Sequence, residues 1–192
     1  MTPFELYTRL GIAHITDLQG YDHILFIIAL CATLTFKDWR KVLLLITVFT
    51  LAHTLTLVLA VFDVVNLDET LVELGIAISI TFTGLNNLTK KGQSNKGTLK
   101  VVLAGAFGLI HGLGFSRYYN MIAEGTDAWV SLSSFTLGIE IGQLLIVLVF
   151  LFIMWLLENA FNISKRDWNL LISGGVIGIS LTLIAERLPQ VF

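Results

Sequence analysis

Six stretches of mostly apolar residues, each about as long as a helix that crosses a bilayer, decide what this chain can fold into. They run Gly11–Phe36, Lys41–Phe62, Glu69–Leu88, Thr98–Phe115, Trp129–Leu157 and Trp168–Ala185. A helix rises about 1.5 Å per residue, so about 20 residues span the roughly 30 Å of hydrocarbon. Backbone amides in hydrocarbon must be satisfied within the segment or within a closed barrel, and the period-two alternation of a barrel is absent. The expected fold is therefore all-α: a polytopic membrane bundle of six transmembrane helices forming one domain over residues 1–192. Composition agrees. Hydrophobic residues make up 55 % of the chain and charged ones 14 %, against about 25 % charged in a soluble domain.

The connections are short and polar (KDWRK, DVVNLDE, TKKGQSNKG, RYYNMIAEGTD and NISKRD), with no linker that would separate two domains. A formal net charge of −2 offers no basic surface, so nucleic acid is not an expected partner. Cys31 stands alone and reads as a small packed hydrophobe. The opening MTPFELYTRLG has no basic region followed by an unbroken apolar core, so it does not read as a cleavable signal peptide. Thr2–Leu10 reads instead as a short amphipathic segment lying at the interface.

Basic residues set the expected orientation. Loops one–two, three–four and five–six carry Lys37, Arg40, Lys41, Lys90, Lys91, Lys96, Lys100, Lys165 and Arg166, nine in all, against Arg9, Arg117 and Arg187 on the other side. The second loop carries Asp63, Asp68 and Glu69 and no base. Both termini are thus expected on the non-cytoplasmic side of a multi-pass protein of the cell inner (plasma) membrane.

Titratable groups inside a membrane cost several kcal/mol unless paired, which makes each one a functional-site hypothesis. All four histidines, His14, His23, His53 and His111, lie in or at the spans, joined by Asp17, Asp22, Glu73 and Glu140. Counted along the helices at about 1.5 Å per residue, His53 is about 14 Å from the outer end, His111 and Glu73 about 6 Å and Glu140 about 17 Å. Polar groups from five spans therefore reach the same outer half of the bilayer. His23, His53 and His111 are expected on facing helices within reach of one ion, with Glu73 or Glu140 near it. Asp22 and His23 are adjacent, so in a continuous helix they point about 100° apart and face one ion together only if Gly20 unwinds the turn.

Plainer readings stand beside these. A single membrane histidine serves as an interhelical hydrogen-bond donor about as often as it serves as a ligand. Glu73 and Glu140 can each simply pair with a histidine, and His14 and Asp17 can be wet and interfacial. The Thr47, Thr50, Thr54 stripe reads as bonding its own helix backbone. Ala104, Gly108, Gly112 and Ser116 make a small-residue face for close helix contact, and Gly138, Gly142, Gly174 and Gly178 offer matching grooves. The sixth span, without histidine or mid-membrane acid, reads as scaffold.

HITDLQGYDHILF (14–26), FTLAHTLTL (49–57), VELGIAISI (72–80), FGLIHGLGF (107–115) and LGIEIGQL (137–144) resemble, in order and over five of the six spans, the signature segments of the HupE/UreJ family of membrane proteins. That family is associated with nickel and cobalt permeases serving hydrogenase and urease, so the resemblance implies divalent-metal transport. Residue by residue it points to His14, Asp22, His23, His53, Glu73, His111 and Glu140 as metal-site residues. The chain departs from the nickel permeases in having seven residues between His14 and Asp22 and a single histidine in the fourth span, as a divergent branch would.

Imidazole with carboxylate independently suits Ni, Co or Zn, whereas an all-oxygen site would suit Mg or Ca. Two functions follow. One is a transporter that takes a divalent transition-metal ion from the outer side; its inner route would run past Ser79, Thr83, Asn86 and Asn87. The alternative is an intramembrane zinc-dependent hydrolase, with a metal-bound water and Asp22, Glu73 or Glu140 as general base. A metal sensor, chaperone partner or structural role completes the range. The lipid bilayer is the expected surround. A homo-oligomer or an accessory subunit is left open, and the chain has no nucleotide-binding motif of its own.

Overall fold

The computed structural model describes residues 1–62, 64–65, 67–93, 98–123 and 127–191, and for residues 91, 93, 115–118 and 120–123 the backbone alone. Asp63, Ser94 and Lys96 of the polar loops lie outside the described residues. Among those described, all regular structure is helical: α1 (Pro3–Thr16), α2 (Asp22–Cys31), a 3₁₀ turn (Phe36–Asp38), α3 (Trp39–Val61), α4 (Glu69–Leu88), a short α5 (Lys90–Gln93), α6 (Thr98–Ala123), α7 (Ala128–Phe161) and α8 (Lys165–Val191). Four are long and apolar enough to cross a bilayer: the 3₁₀ turn with α3, then α4, α7 and α8. Asp22–Cys31 and Thr98–Gly114 are shorter apolar stretches.

Helix starts follow local chemistry. Thr2 and Glu5 cap α1 reciprocally, the Asp68 and Asp127 carboxylates accept from the first amides of α4 and α7, and Ser164 pairs with Asp167 at the start of α8. At its other end α7 stops at Asn162, which takes the left-handed conformation (φ 54°) that asparagine tolerates.

The first apolar stretch does not form one helix. Asp17 is extended (ψ 122°) and its Oδ1 accepts from the Gln19 amide at 2.9 Å, an aspartate turn that competes with helix continuation. Gly20 follows, and the chain becomes helical again at Asp22. Residues 2–10 are not a separate interfacial segment either. They begin α1, which lies along α7 and buries Tyr7.

Glycines set the closest helix contacts. A Cβ on Gly108 would lie 2.5 Å from the Phe49 carbonyl oxygen, and one on Gly112 would lie 2.2 Å from that of His53. Together with Gly105 against Val48, these contacts run α3 and α6 side by side in the same direction. Gly138 meets the Thr8 carbonyl and Gly142 meets Ile15, so α1 runs with α7. The pairs Gly84–Ile177, Thr81–Ser180 and Glu73–Arg187 run α4 against α8. Gly174 and Gly178 meet nothing within 4 Å, so the groove expected on α8 receives no neighbour among the described residues.

Large apolar side chains cover the outside of α3, α4, α7 and α8, and exposed aromatics (Trp39, Phe62, Trp129, Trp155) mark the helix ends as an interfacial belt does. Gly112→Ala and Gly138→Ala are expected to lower the thermal unfolding midpoint in detergent, at an overpacking cost of about 1–3 kcal/mol each. Gly178→Ala is expected to leave it unchanged, and equal midpoints for all three would contradict the helix pairing.

Candidate metal centre

Four histidine rings from four helices meet in the bundle. The His14 and His23 ring centroids are 4.5 Å apart, and those of His23 and His111 are 3.7 Å apart. His53 stands 6.1 Å from His14 and 5.9 Å from His111. Nine residues of unbroken helix would separate His14 from His23 by about 13–14 Å along the axis. The turn at residues 17–21 removes that separation. Gly11 seats α1 on α7, which brings in His14; Gly108 and Gly112 seat α6 on α3, which brings in His53 and His111.

Ring nitrogens of His14, His23 and His111 all lie within 4.8 Å of one another, a group able to hold a metal ion. Nitrogens bound tetrahedrally at 2.0–2.1 Å are about 3.4 Å apart, within that range of separations. Distance thus groups His14 with His23 and His111, where helix depth had pointed to His53. The reason is the helix break, which returns the chain from His14 to His23. The helix α6 continues to Ala123, beyond the end expected at Phe115.

The donor set has the character of a ligand site. His23 Nε2, His111 Nδ1 and both nitrogens of His53 are buried with no hydrogen-bond partner among the described residues, and orphaned polar groups of this kind are rare in a folded interior. The Nδ1 of His23 lies 3.2 Å from Asp22 Oδ1, which also accepts from the His23 amide at 2.9 Å. An imidazole donating from Nδ1 carries its lone pair on Nε2, here the buried nitrogen without a partner among the described residues. Asp22 therefore serves His23 as the carboxylate that fixes its ring, as carboxylates behind metal-bound histidines do.

The acids are spent on neighbours. Asp22 Oδ2 is 3.7 Å from Arg187 Nη2, and Arg187 Nε is 3.3 Å from Glu73 Oε2 while its Nη1 donates to the Glu73 carbonyl at 2.8 Å. Arg187 sits on the span read as scaffold. Its position in the outer basic count was visible in sequence, but its reach across to α2 and α4 was not. Glu140 accepts from the Thr47 hydroxyl at 2.7 Å, Thr50 bonds Gln143 at 3.1 Å and Thr54 meets Thr136 at 3.0 Å. The threonine stripe of α3 therefore bonds across to α7, not to its own backbone.

One turn further along α2, α3 and α6 lie Phe26, Phe49 and Phe107, all buried. Phe26 and Phe107 stack at 3.6 Å with an interplanar angle of 1°, Phe49 is 5.6 Å from Phe107, and Phe107 is 5.2 Å from His111. This aromatic layer closes one side of the cluster. Beyond it, Asn87 donates to the Ala29 carbonyl at 2.6 Å, Asn169 donates to the Asn87 carbonyl at 2.9 Å, and the Thr83 hydroxyl bonds its own helix. Of the residues expected to line an inner route, Asn87 joins α4 to α2 and α8, while Ser79 and Thr83 bond their own helix.

Arg187→Gln is expected to cost about 1–3 kcal/mol, the range for truncating a partly buried ion pair after allowance for the half-exposed Glu73, read as a lower unfolding midpoint. Arg187→Lys should recover part of it. A midpoint unmoved by either change would mean that this arginine does not tie α8 to α2.

The sequence model of the family described as HupE / UreJ protein matches residues 1–186 of the chain. Nothing matches among curated proteins or among solved structures.

Proposed function

We propose, from the premise that the chain belongs to the HupE/UreJ family, that it is a membrane transporter for a divalent transition-metal ion of the nickel, cobalt and zinc class. The observation that carries this reading is the convergence of three ring nitrogens, from α1, α2 and α6, within 4.8 Å. His14, His23 and His111 bind the ion, with His53 beside them as the next imidazole. Asp22 holds the His23 ring, and Arg187 holds Asp22. Glu73 tunes that network from its far end, and Glu140 lies on the adjoining polar face of α3 and α7. Neutral imidazole is the donor that Ni, Co and Zn accept well and that Mg and Ca do not.

A broken helix at the binding site is a recurring feature of transporters, because it places carbonyl dipoles of a helix end and movable backbone against the cargo. The α1 C-terminus and the turn at residues 17–21 supply that element here. Counting α1 and α2 as one interrupted pass, the chain crosses six times in a plasma membrane with its basic loops in the cytoplasm and both termini outside. The ion enters from the outer side, and its release inward requires Phe26, Phe49 and Phe107 to part.

That same aromatic layer favours the second reading, a zinc-dependent intramembrane hydrolase, since a site open to one side suits catalysis. The engaged carboxylates weigh against it: Asp22 and Glu73 are paired with Arg187, and Glu140 with Thr47.

In proteoliposomes, uptake of Ni, Co or Zn is expected to fall more than about 100-fold in His23→Ala and His111→Ala, and about 10–100-fold in Asp22→Asn, the usual effect of removing a group that orients a ligand. Unchanged uptake in both histidine variants would overturn the site. Loss of lipid or peptide hydrolysis in the same variants, with no metal accumulation by the wild type, would favour the enzyme. An impermeant thiol reagent is expected not to label Ser94→Cys in intact cells, and strong labelling would reverse the orientation.

A further inference from the structure

At the end of the bundle that carries the basic loops, two adjoining cavities of about 330 and 230 Å³ open between the α2–α3 connection, the last turns of α7 and the start of α8. They share Met154 and Lys165. From this cleft we infer a binding site for an anionic glycerophospholipid of the bilayer, with its phosphate among Lys37, Lys165 and Arg166 and its acyl chains along α7. The site shares no residue with the histidine cluster.

Three cations line the cleft, Lys37 and Lys165 in the larger cavity and Lys165 and Arg166 in the smaller. The opposing charge is Glu158, whose Oε1 is 4.0 Å from Lys165 Nζ with both side chains well exposed, a geometry that holds a lysine only weakly. Asp38, next to Lys37, is engaged by the Thr35 amide and hydroxyl and by Lys41. Asp167, next to Arg166, is engaged by Ser164 at the α8 cap. The cleft therefore keeps a net positive charge, to which the first turn of α8 adds the positive end of its dipole.

The opposite wall is apolar. Leu151, Met154 and Trp155 of α7 line it, and the intervening Phe152, Ile153 and Leu156 are exposed on the outside of the same helix. The hydrocarbon-facing surface of α7 thus runs directly into the cationic cleft. A soluble phosphate would use only the cations, whereas a phospholipid uses both walls. Trp155, 49 % exposed, lies where an indole ring meets the glycerol and headgroup layer. Basic pockets between membrane helices recognise anionic headgroups by this combination of charge and apolar wall.

The full chain, purified in detergent, would be titrated with phosphatidylglycerol and with phosphatidylcholine of the same acyl chains, with bound lipid read by native mass spectrometry and the unfolding midpoint measured in parallel. Phosphatidylglycerol is expected to bind more tightly and to raise the midpoint. The triple variant Lys37→Gln, Lys165→Gln, Arg166→Gln is expected to lose that preference by about 100-fold, at about fivefold per cation. All three side chains are solvent-exposed, so the variant should match the wild-type midpoint without added lipid, and a lowered one is separated from lipid binding by the phosphatidylcholine arm. Equal binding of the two lipids, or a preference retained by the variant, would overturn the site. Inorganic phosphate alone reproducing the shift would overturn the lipid assignment and leave a phosphate site.

Discussion

The interruption of the first apolar stretch at residues 17–21 is the feature on which the rest of the centre depends. A continuous helix would hold His14 and His23 about two and a half turns apart, with Asp22 and His23 pointing to different sides. The aspartate turn at Asp17 and the glycine at position 20 end one helix, and the next begins with the Asp22–His23 pair in its first turn. Two imidazoles from one sequence segment then meet edge to face. Asp17, Leu18 and Gln19 of the break are exposed, whereas His23, just after it, is buried in the cluster.

Close helix approach supplies the other half of the geometry. Where Gly108 and Gly112 meet α3, and Gly11 and Gly138 meet each other, backbones touch with no side chain between them. Those contacts set His53 against the helix of His111 and seat the helix of His14 on α7. Association of helices in lipid lacks the hydrophobic driving force of water and depends on such packing and on interhelical hydrogen bonds. The α3–α7 ladder of threonines with Thr136, Glu140 and Gln143 is the hydrogen-bonded counterpart of the glycine contacts.

The centre is asymmetric. Polar order lies on the side of Asp22, Glu73 and Arg187; on the other Phe26 and Phe107 stack and Phe49 is tilted against both. On the transport reading proposed above, the phenylalanines lie between the cluster and the helix ends that carry the basic loops. The three phenylalanines occur one turn from three of the histidines, on the same helices. Any displacement of α2, α3 or α6 that parts the phenylalanines therefore also moves a histidine.

Much of this was legible in the sequence, because hydrocarbon imposes simple rules. Runs of apolar residues mark the helices, isolated titratable groups within them mark the polar centre, and the recurrence of small residues on α6 and α7 marks contact faces. The signature segments carry the family. Other features required the folded chain. The fourth helix runs past the end expected at Phe115, since nothing in RYYNMIA announces that α6 continues to Ala123. The threonine stripe could bond its own backbone or a neighbour, and only the antiparallel approach of α7 decides. Arg187 looked like a surface charge on a scaffold helix until α8 packed against α4 and carried it to Asp22 and Glu73. The sequence by itself determined which groups must be buried together, because each is too costly to leave alone in lipid. The tertiary structure alone decided which of them touch, because that depends on a broken helix and on glycine contacts whose partners lie far away in the chain.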